Sequence, residues 1–285
     1  MNRWSFGRFF CLGTWRDFGE TSMKTEVIES MEQYVSMWKV FVGELPDVDL
    51  VDKPGLSVSW ADNAFPFWNA IFLTEQLEDA DLLASRLKEA SIYMREKRHG
   101  GLLYVCQDYL SGAAEKSLQR LLDEQKLEFA LPLTGMAGDI FPLQRRSYPG
   151  LRMERVTDEA KLQVYANLNC EAYGFPLEWG HSALKGSKLW KERAYTYLGY
   201  EGDLPVSAAS AIVNDGCLYL ALVATRPDRR GKGYADAVVR HALQTAHEAT
   251  GLKRTILHAT DAGFPVYTRV GYHRTATIMT YKPAA

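Results

Sequence analysis

Ala224-Thr225-Arg226-Pro227-Asp228-Arg229-Arg230-Gly231-Lys232-Gly233-Tyr234-Ala235 follows the apolar run Leu218 to Val223 and precedes a helical pattern. The order reads as a strand turning through a basic, glycine-containing loop into a helix N-terminus. In that setting the loop amides converge, the helix supplies the positive end of its dipole, and Arg229, Arg230 and Lys232 add full charges. An anion such as phosphate is the natural guest. Spacing removes two phosphate readings. With Gly231-Lys232 as its Gly-Lys pair, a Walker-type loop would need glycine at Arg226 and Ser or Thr at Gly233. A dinucleotide fingerprint starting at Gly231 would place its third small residue on Asp236. It would also leave only about fifty residues where a Rossmann half and its partner need far more.

What remains is Arg230-x-x-Gly233-x-Ala235. It resembles the pyrophosphate loop of the GNAT superfamily of acyl-CoA-dependent N-acetyltransferases: Gln or Arg, two residues, Gly, one residue, then Gly or Ala. A second stretch, Phe264-Pro265-Val266-Tyr267-Thr268-Arg269-Val270-Gly271-Tyr272, resembles the other signature of that family, a short helix carrying Tyr, then Gly four residues on, then an aromatic. The two stretches stand in the family's order and at its separation.

Composition sets the class. The chain has 285 residues, 47% apolar and 24% charged, which describes a globular protein long enough for two ordinary domains. A net charge of −2 predicts no general affinity for nucleic acid or a membrane surface, so the basic loop is a local feature. Cys11, Cys106, Cys170 and Cys217 lie far apart. That spacing argues against a zinc site, predicts that no metal is used, and fits buried thiols in a reducing compartment. No apolar run approaches membrane-spanning length, and Met1 to Glu20 is broken by Arg3, Arg8, Arg16 and Asp17, without a signal-peptide core. A cytoplasmic location is expected.

Along the chain, residues 1–22 read as an aperiodic, aromatic N-terminal extension. From Thr25, Ile28, Met31, Val35, Trp38 and Val42 recur at three- and four-residue steps and predict a helix ending near Gly43. Gly55 to Trp60 and Phe67 to Thr74 read as strands, with a long helix from about Asp79 and a stop at Lys97-Arg98-His99-Gly100. Leu102 to Cys106 is a strand, Glu115 to Glu124 a short helix, and Leu127 to Leu133 a further strand. The order strand, long helix, strand, short helix, strand returns at Cys217 to Thr225, Tyr234 to Thr250, Thr255 to Ala259, Phe264 to Val270 and Tyr272 to Tyr281. An internal duplication is inferred.

The copies differ where chemistry would be done. The first copy has Glu75, Glu78, Asp79 and Asp81 in place of the glycine loop, where side chains block close approach and carboxylates repel a diphosphate. Leu122 stands where the second copy has Tyr267. The expected fold class is therefore α+β, two tandem GNAT-like domains, each a mostly antiparallel mixed sheet flanked by helices. Residues 23–145 would be degenerate and not bind CoA, and residues 146–285 intact, with the junction at Gly135 to Gly150.

In the second copy, Leu151 to Val156 reads as a strand, Thr157 or Asp158 as an N-cap, and Tyr173 to Trp190 as an irregular connection. By resemblance, that connection helps wall the acceptor site. Three antiparallel strands, Tyr195 to Tyr200, Leu204 to Val213 and Leu218 to Val223, lead into the loop. The resemblance implies acetyl-CoA as cosubstrate, with Val223, Ala224 and Thr225 along the pantetheine arm. Arg230, Gly231, Lys232, Gly233, Tyr234 and Ala235 would hold the pyrophosphate. Tyr267 matches the position that returns a proton to the departing thiolate, a role suited to a phenol that stays protonated at neutral pH. The reaction implied is acetyl transfer to a primary amine on a small molecule or protein. The strand Cys217 to Thr225 carries no Asp or Glu, which leaves Asp215, His181, His258, Asp261 or a water chain as base. Thr260 replaces an Asn that often contacts the cofactor. A non-catalytic acyl-CoA sensor or interaction module is the alternative.

Overall fold

The computed structural model describes residues 15–139, 148 and 150–284, with residues 15–24 described as backbone only. The first half runs α1 (Trp15–Val42), β1 (Asp49–Lys53), β2 (Leu56–Trp60), β3 (Asn69–Leu73), α2 (Ala80–Arg95), β4 (Leu102–Cys106), α3 (Gly112–Glu124) and β5 (Leu127–Asp139). The second begins with β6 (Leu151–Arg155), α4 (Glu159–Tyr173), α5 (Leu177–Leu184), β7 (Ala194–Glu201) and β8 (Leu204–Asn214). It ends with β9 (Cys217–Thr225), α6 (Tyr234–Thr250), β10 (Arg254–Ala259), α7 (Phe264–Val270) and β11 (His273–Pro283). Local chemistry sets these limits. The Asp79 carboxylate accepts from the Leu82 amide at 2.7 Å to start α2, Asp158 accepts from Lys161 at 2.9 Å to start α4, and Gly251 at φ 74° ends α6.

The described strands form a single mixed sheet in the order β1-β2-β3-β4-β11-β5-β10-β9-β8-β7-β6. β3 with β4 and β9 with β10 are parallel, and the other neighbours are antiparallel. The repeated order read from sequence is thus a repeated topology, but the halves interleave. β11 of the second half lies between β4 and β5, and β5 of the first half lies between β11 and β10.

Period-two alternation decides the layers. On β3, Ala70 and Phe72 join the core that contains α1 and α4, while Ile71 and Leu73 join the core under α2 and α3. On β9, Tyr219 and Ala221 face α1 and α4, while Leu218 and Leu220 pack under α6. Helix α1 bridges the halves: Arg254 on β10 reaches Glu26 at 2.8 Å and Glu29 at 2.5 Å, and Asn214 donates to Gln33 at 2.8 Å.

Several expectations are corrected. Helix α1 begins at Trp15 and not at Thr25, so part of the stretch read as an extension is helical; residues 1–14 lie outside the described residues. Its buried face is Met31, Tyr34, Met37, Phe41 and Val42: of the expected stripe Met31 and Val42 lie on it, Val35 and Trp38 are partly buried and Ile28 is exposed, and the sheet it covers is lined with rings that accept aromatic partners. β5 runs six residues past Leu133, so Gly135 and Gly138 are strand residues. A Cβ on Gly135 would come 2.5 Å from Ser30 Oγ on α1, so that glycine marks a close helix approach. Residues 140–147 and Pro149, the rest of the expected junction, lie outside the described residues. The connection Tyr173 to Trp190 contains α5, and Leu189–Arg193 is a π-turn. β1 escaped the sequence because it is an edge strand whose Leu50 and Val51 are both exposed.

Candidate active site

Strand β9 is broken where the loop stretch begins. Ser210 pairs with Ala221 and Ala208 with Ala224, so Leu222 and Val223 together face Ala209. Two residues against one form a β-bulge, which bends and twists the strand. Leu222 sits at φ 44°, a conformation costly for a branched side chain. Its carbonyl is held by the buried Tyr165 phenol on α4, which donates to it at 3.1 Å. β9 and β10 pair at Leu218–Thr255 and Tyr219–Ile256 and then part, leaving the β10-facing edge of β9 open toward Thr225.

The glycine loop continues from that edge. Gly231 and Gly233 adopt φ 80° and 84°, and α6 starts at Gly233 without a side-chain cap, so its first-turn amides are available to a ligand. A Cβ on Gly231 would meet nothing within 4 Å, whereas one on Gly233 would come 2.9 Å from the Tyr148 ring. Three of the basic side chains are engaged by carboxylates, two of them by the same one. Arg226 pairs with Glu171 at 3.3 Å, Arg229 with Glu201 at 3.1 Å, and Lys232 approaches Glu201 at 3.7 Å. Tyr234 also donates to Glu201, and with Lys232 and Arg229 it holds that carboxyl below its usual range. Arg230 differs. Its Nη2 donates to the Ala172 carbonyl at 2.8 Å near the end of α4, and no carboxylate pairs with it among the described residues. Asp236, third small position of the excluded dinucleotide pattern, is buried and paired with Arg240 at 3.0 Å.

A cavity of ≈ 80 Å³ lies where β9 and β10 separate. Val223, Thr260 and Tyr267 line one side and Tyr34, Trp38 and Tyr104 from the first half line another. Tyr267 is buried, and desolvation, with smaller contributions from Tyr173 and Tyr272, pushes its phenol well above its usual range. The phenol therefore keeps its proton. His258 on β10 also lines the cavity, stacked on the Tyr34 ring with centroids 3.6 Å apart. Its Nδ1 shares a hydrogen bond with the Tyr219 hydroxyl at 2.8 Å and its Nε2 one with Ser30 Oγ at 3.1 Å.

Burial lowers the His258 pKa to about 3, so the ring is neutral in the native state. In the unfolded chain it would titrate near about 6.5. Below that pH the unfolded state takes up a proton that the native state refuses, so stability falls as pH drops from 6.5 toward 3. The slope from this group is about 1.4 kcal/mol per pH unit. His258→Gln is expected to lack that component. Urea unfolding at pH 6.5, 5.5 and 4.5 measures it as a wild-type-minus-variant difference that shrinks with falling pH; a constant difference contradicts it.

The structure brings Val223 and Tyr267 to one cavity and places Ala224, Thr225 and Arg230 to Ala235 along the edge and loop that lead from it. Two of these are less open than the sequence suggested. Ala224 is buried, and the Thr225 hydroxyl shares a 2.8 Å bond with Ser207 on β8. Of the four candidate bases, only His258 lines the cavity. Asp215 accepts from Ser36 at the β8–β9 turn, His181 on α5 bonds Asn167, and Asp261 lies in the loop before α7. Sequence reasoning missed Tyr165, Tyr219 and the first-half residues Tyr34 and Trp38. The alternation of Tyr219 with Leu218 and Leu220 could have flagged Tyr219, but nothing local announces a wall supplied by α1.

The first-half counterpart is closed. After pairing Phe72 with Tyr104, β3 and β4 are bridged again by Leu77 and Leu110. The Leu77 amide donates to the Tyr109 carbonyl at 2.8 Å, and the amides of Ala113 and Ala114 donate to the Glu78 carbonyl at 3.1 and 3.0 Å. Glu75 is tied to Arg86 at 2.6 Å, Asp79 caps α2, and Leu122 is buried. The Leu77–Leu110 bridge thus holds β3 and β4 together where β9 and β10 part.

Among the described residues no group of three or more His, Cys, Asp or Glu is placed to hold a metal ion, and no helix is long and apolar enough to cross a membrane. Cys106, Cys170 and Cys217 are buried free thiols. Comparison with known proteins agrees with this geometry. Residues 162–272 match the acetyltransferase (GNAT) family. None of the curated proteins searched matches the chain. A GCN5-related N-acetyltransferase from Kribbella flavida is similar in fold at TM-score 0.66, with 16% identity over 90% of this chain and 96% of its own. A GCN5-related N-acetyltransferase from Sphaerobacter thermophilus gives 0.60, with 14% identity over 80% of this chain and 76% of its own. A tandem GNAT protein from the clavulanic acid biosynthesis pathway gives 0.54, with 9% identity over 93% and 95%. With both signatures on the expected elements, residues 162–272 are a GNAT acetyltransferase domain, and the repeated sheet gives the chain a layout similar in fold to a tandem GNAT protein.

Proposed function

We propose that the protein transfers an acetyl group from acetyl-CoA directly to a primary amine, using the cleft beside β9 of the second half, walled in part by the first half. The observation that carries this reading is the Leu222 bulge, which parts β9 from β10 immediately beside Tyr267 and ahead of the glycine loop. The residues present fit the cosubstrate: Gly231 has room around its Cα, and the α6 amides are uncapped. Acetyl-CoA, when bound, supplies an activated acetyl thioester. Val223, Ala224 and Thr225 would run along its pantetheine arm, and Arg230, Gly231, Lys232, Gly233, Tyr234 and Ala235 would hold its pyrophosphate. An amide near Val223, fixed by the Tyr165-held bulge, would meet the oxygen where negative charge develops. Tyr267 would give its proton to the departing thiolate. The bridged first half would bind no CoA.

Among the described residues no carboxylate lines the cavity, which favours as a second reading an acyl-CoA-binding sensor without turnover. Thiol release from acetyl-CoA across a panel of primary amines separates the two. Release dependent on an amine is expected, whereas binding of acetyl-CoA with no release for any amine supports the sensor.

Arg230→Ala should weaken acetyl-CoA binding by about 1.5–3 kcal/mol, or roughly 10- to 150-fold, through loss of a charge-assisted phosphate contact. Among the described residues Arg230 has no carboxylate to abandon, so its cation can turn to a ligand. Calorimetry measures the effect, and unchanged affinity would take Arg230 out of the site.

A further inference from the structure

The two halves meet in the cavity beside Tyr267, and its lining is selective. Trp38 and Tyr34 come from α1, Tyr104 from β4, Tyr219 from β9, and His258 from β10. Tyr34 and Trp38 stand edge to face, with centroids 4.5 Å apart at 90°, and Tyr34 meets Tyr104 the same way at 5.4 Å. Among the described residues, none of the lining side chains is Asp, Glu, Lys or Arg. Among the described residues the hydroxyls of Tyr173, Thr260 and Tyr267 make no hydrogen bond, whereas other polar atoms of the lining are occupied. Tyr219 and Ser30 hold the two His258 nitrogens, and the Trp38 indole donates to the Phe67 carbonyl at 2.6 Å.

Such a cavity discriminates by desolvation. A carboxylate or phosphate placed in it loses its water and finds no cation, and burial of an unpaired charge is strongly unfavourable. A polyol loses a hydrogen bond for each hydroxyl that finds no partner. A flat apolar skeleton loses nothing of this kind and gains ring contacts, and the rings also tolerate an arriving ammonium by cation–π attraction. Resting on the acetyl-transfer reading, we infer that the acceptor is a primary amine on a compact aromatic skeleton without carboxylate, phosphate or multiple hydroxyl groups, an arylalkylamine in chemical class. In the transfer, the arriving ammonium loses one proton to solvent, and the amine nitrogen bonds the acetyl carbon as the carbon–sulfur bond breaks. The thiolate takes a proton from Tyr267, the new amide nitrogen releases its surplus proton to solvent, and Tyr267 regains a proton from solvent. The products are the N-acetylated amine and CoA. The first half thus acts as the acceptor wall.

The test compares phenethylamine with phenylalanine and with glucosamine, using full-length protein and saturating acetyl-CoA. Phenethylamine is expected to give kcat/KM at least about 100-fold above either. Trp38→Phe, with Trp38→Leu as the stronger change, is expected to raise KM for phenethylamine while leaving acetyl-CoA affinity within about twofold. In parallel, calorimetry follows phenethylamine binding to the CoA complex. Equal or better turnover of phenylalanine or glucosamine overturns the inference and leaves acetyl transfer standing. Tight phenethylamine binding without turnover of any amine upholds the cavity's selectivity and overturns the transferase reading. Absence of phenethylamine binding overturns the inference, whatever other amine is turned over.

Discussion

Tyr267→Phe lowers kcat by about 10²- to 10⁴-fold, the range that a positioned proton donor contributes, while acetyl-CoA affinity stays within about twofold. The substitution removes one oxygen and keeps the ring that lies over Gly263 and meets Tyr272 edge to face at 6.0 Å. Among the described residues the phenol makes no hydrogen bond, so its loss strands no buried partner and should change folding stability by less than about 1 kcal/mol. Burial keeps the phenol protonated through neutral pH, so it is a donor and not a base. Steady-state kinetics and thermal unfolding together separate the two effects. A variant that is equally stable and equally fast would show that the thiolate takes its proton elsewhere.

A chain of residues 150–284 expressed alone should fail to unfold cooperatively and should aggregate, although it contains both signatures. In the whole protein β5 makes ten register pairs with β11 and six with β10. Removing the first half takes β4 and β5 away, leaving β10 bare on one edge and β11 on both. At a net contribution of about 1 kcal/mol per backbone hydrogen bond, that loss is comparable to the 5–15 kcal/mol that stabilises an ordinary native protein. Exposed strand edges then pair with other chains. Helix α1 would be missing too, and with it Met31, Tyr34, Met37 and Phe41 from the shared core. Co-expression of the first half is expected to restore solubility. Calorimetric unfolding of the isolated segment checks this, and a single sharp transition with retained acetyl-CoA binding would refute it.

Degeneracy of the first half therefore does not make it dispensable. Its cleft is bridged by Leu77 and Leu110 and its counterpart to Tyr267 is Leu122, yet it supplies a strand to the second half's sheet and aromatic walls to its cavity. The same exchange explains the length of β5, which pairs with β11 from Leu127 to Ala137 and with β10 from Thr134 to Asp139.

The residues alone determined the loop, the helices that begin at Asp79 and Asp158, the helix Tyr234 to Thr250, and the Tyr267 helix. Each follows from interactions within a few residues: a cap, a glycine at positive φ, a 3.6-residue stripe. They also determined that one copy had lost its glycines, since side-chain chemistry at Glu75 to Asp81 is local. Tertiary structure alone decided the rest. The β9 bulge at Leu222 is set by the register of β8 and by a phenol from α4, 57 residues away in sequence. The neutrality of His258 comes from burial beneath α1, and the aromatic wall comes from residues more than a hundred positions earlier. Strand pairing depends on which edges meet, and an interleaved order leaves no periodicity to read. The sequence thus specified the glycine-loop end of the cleft, whereas its aromatic end exists only because the two halves fold through each other.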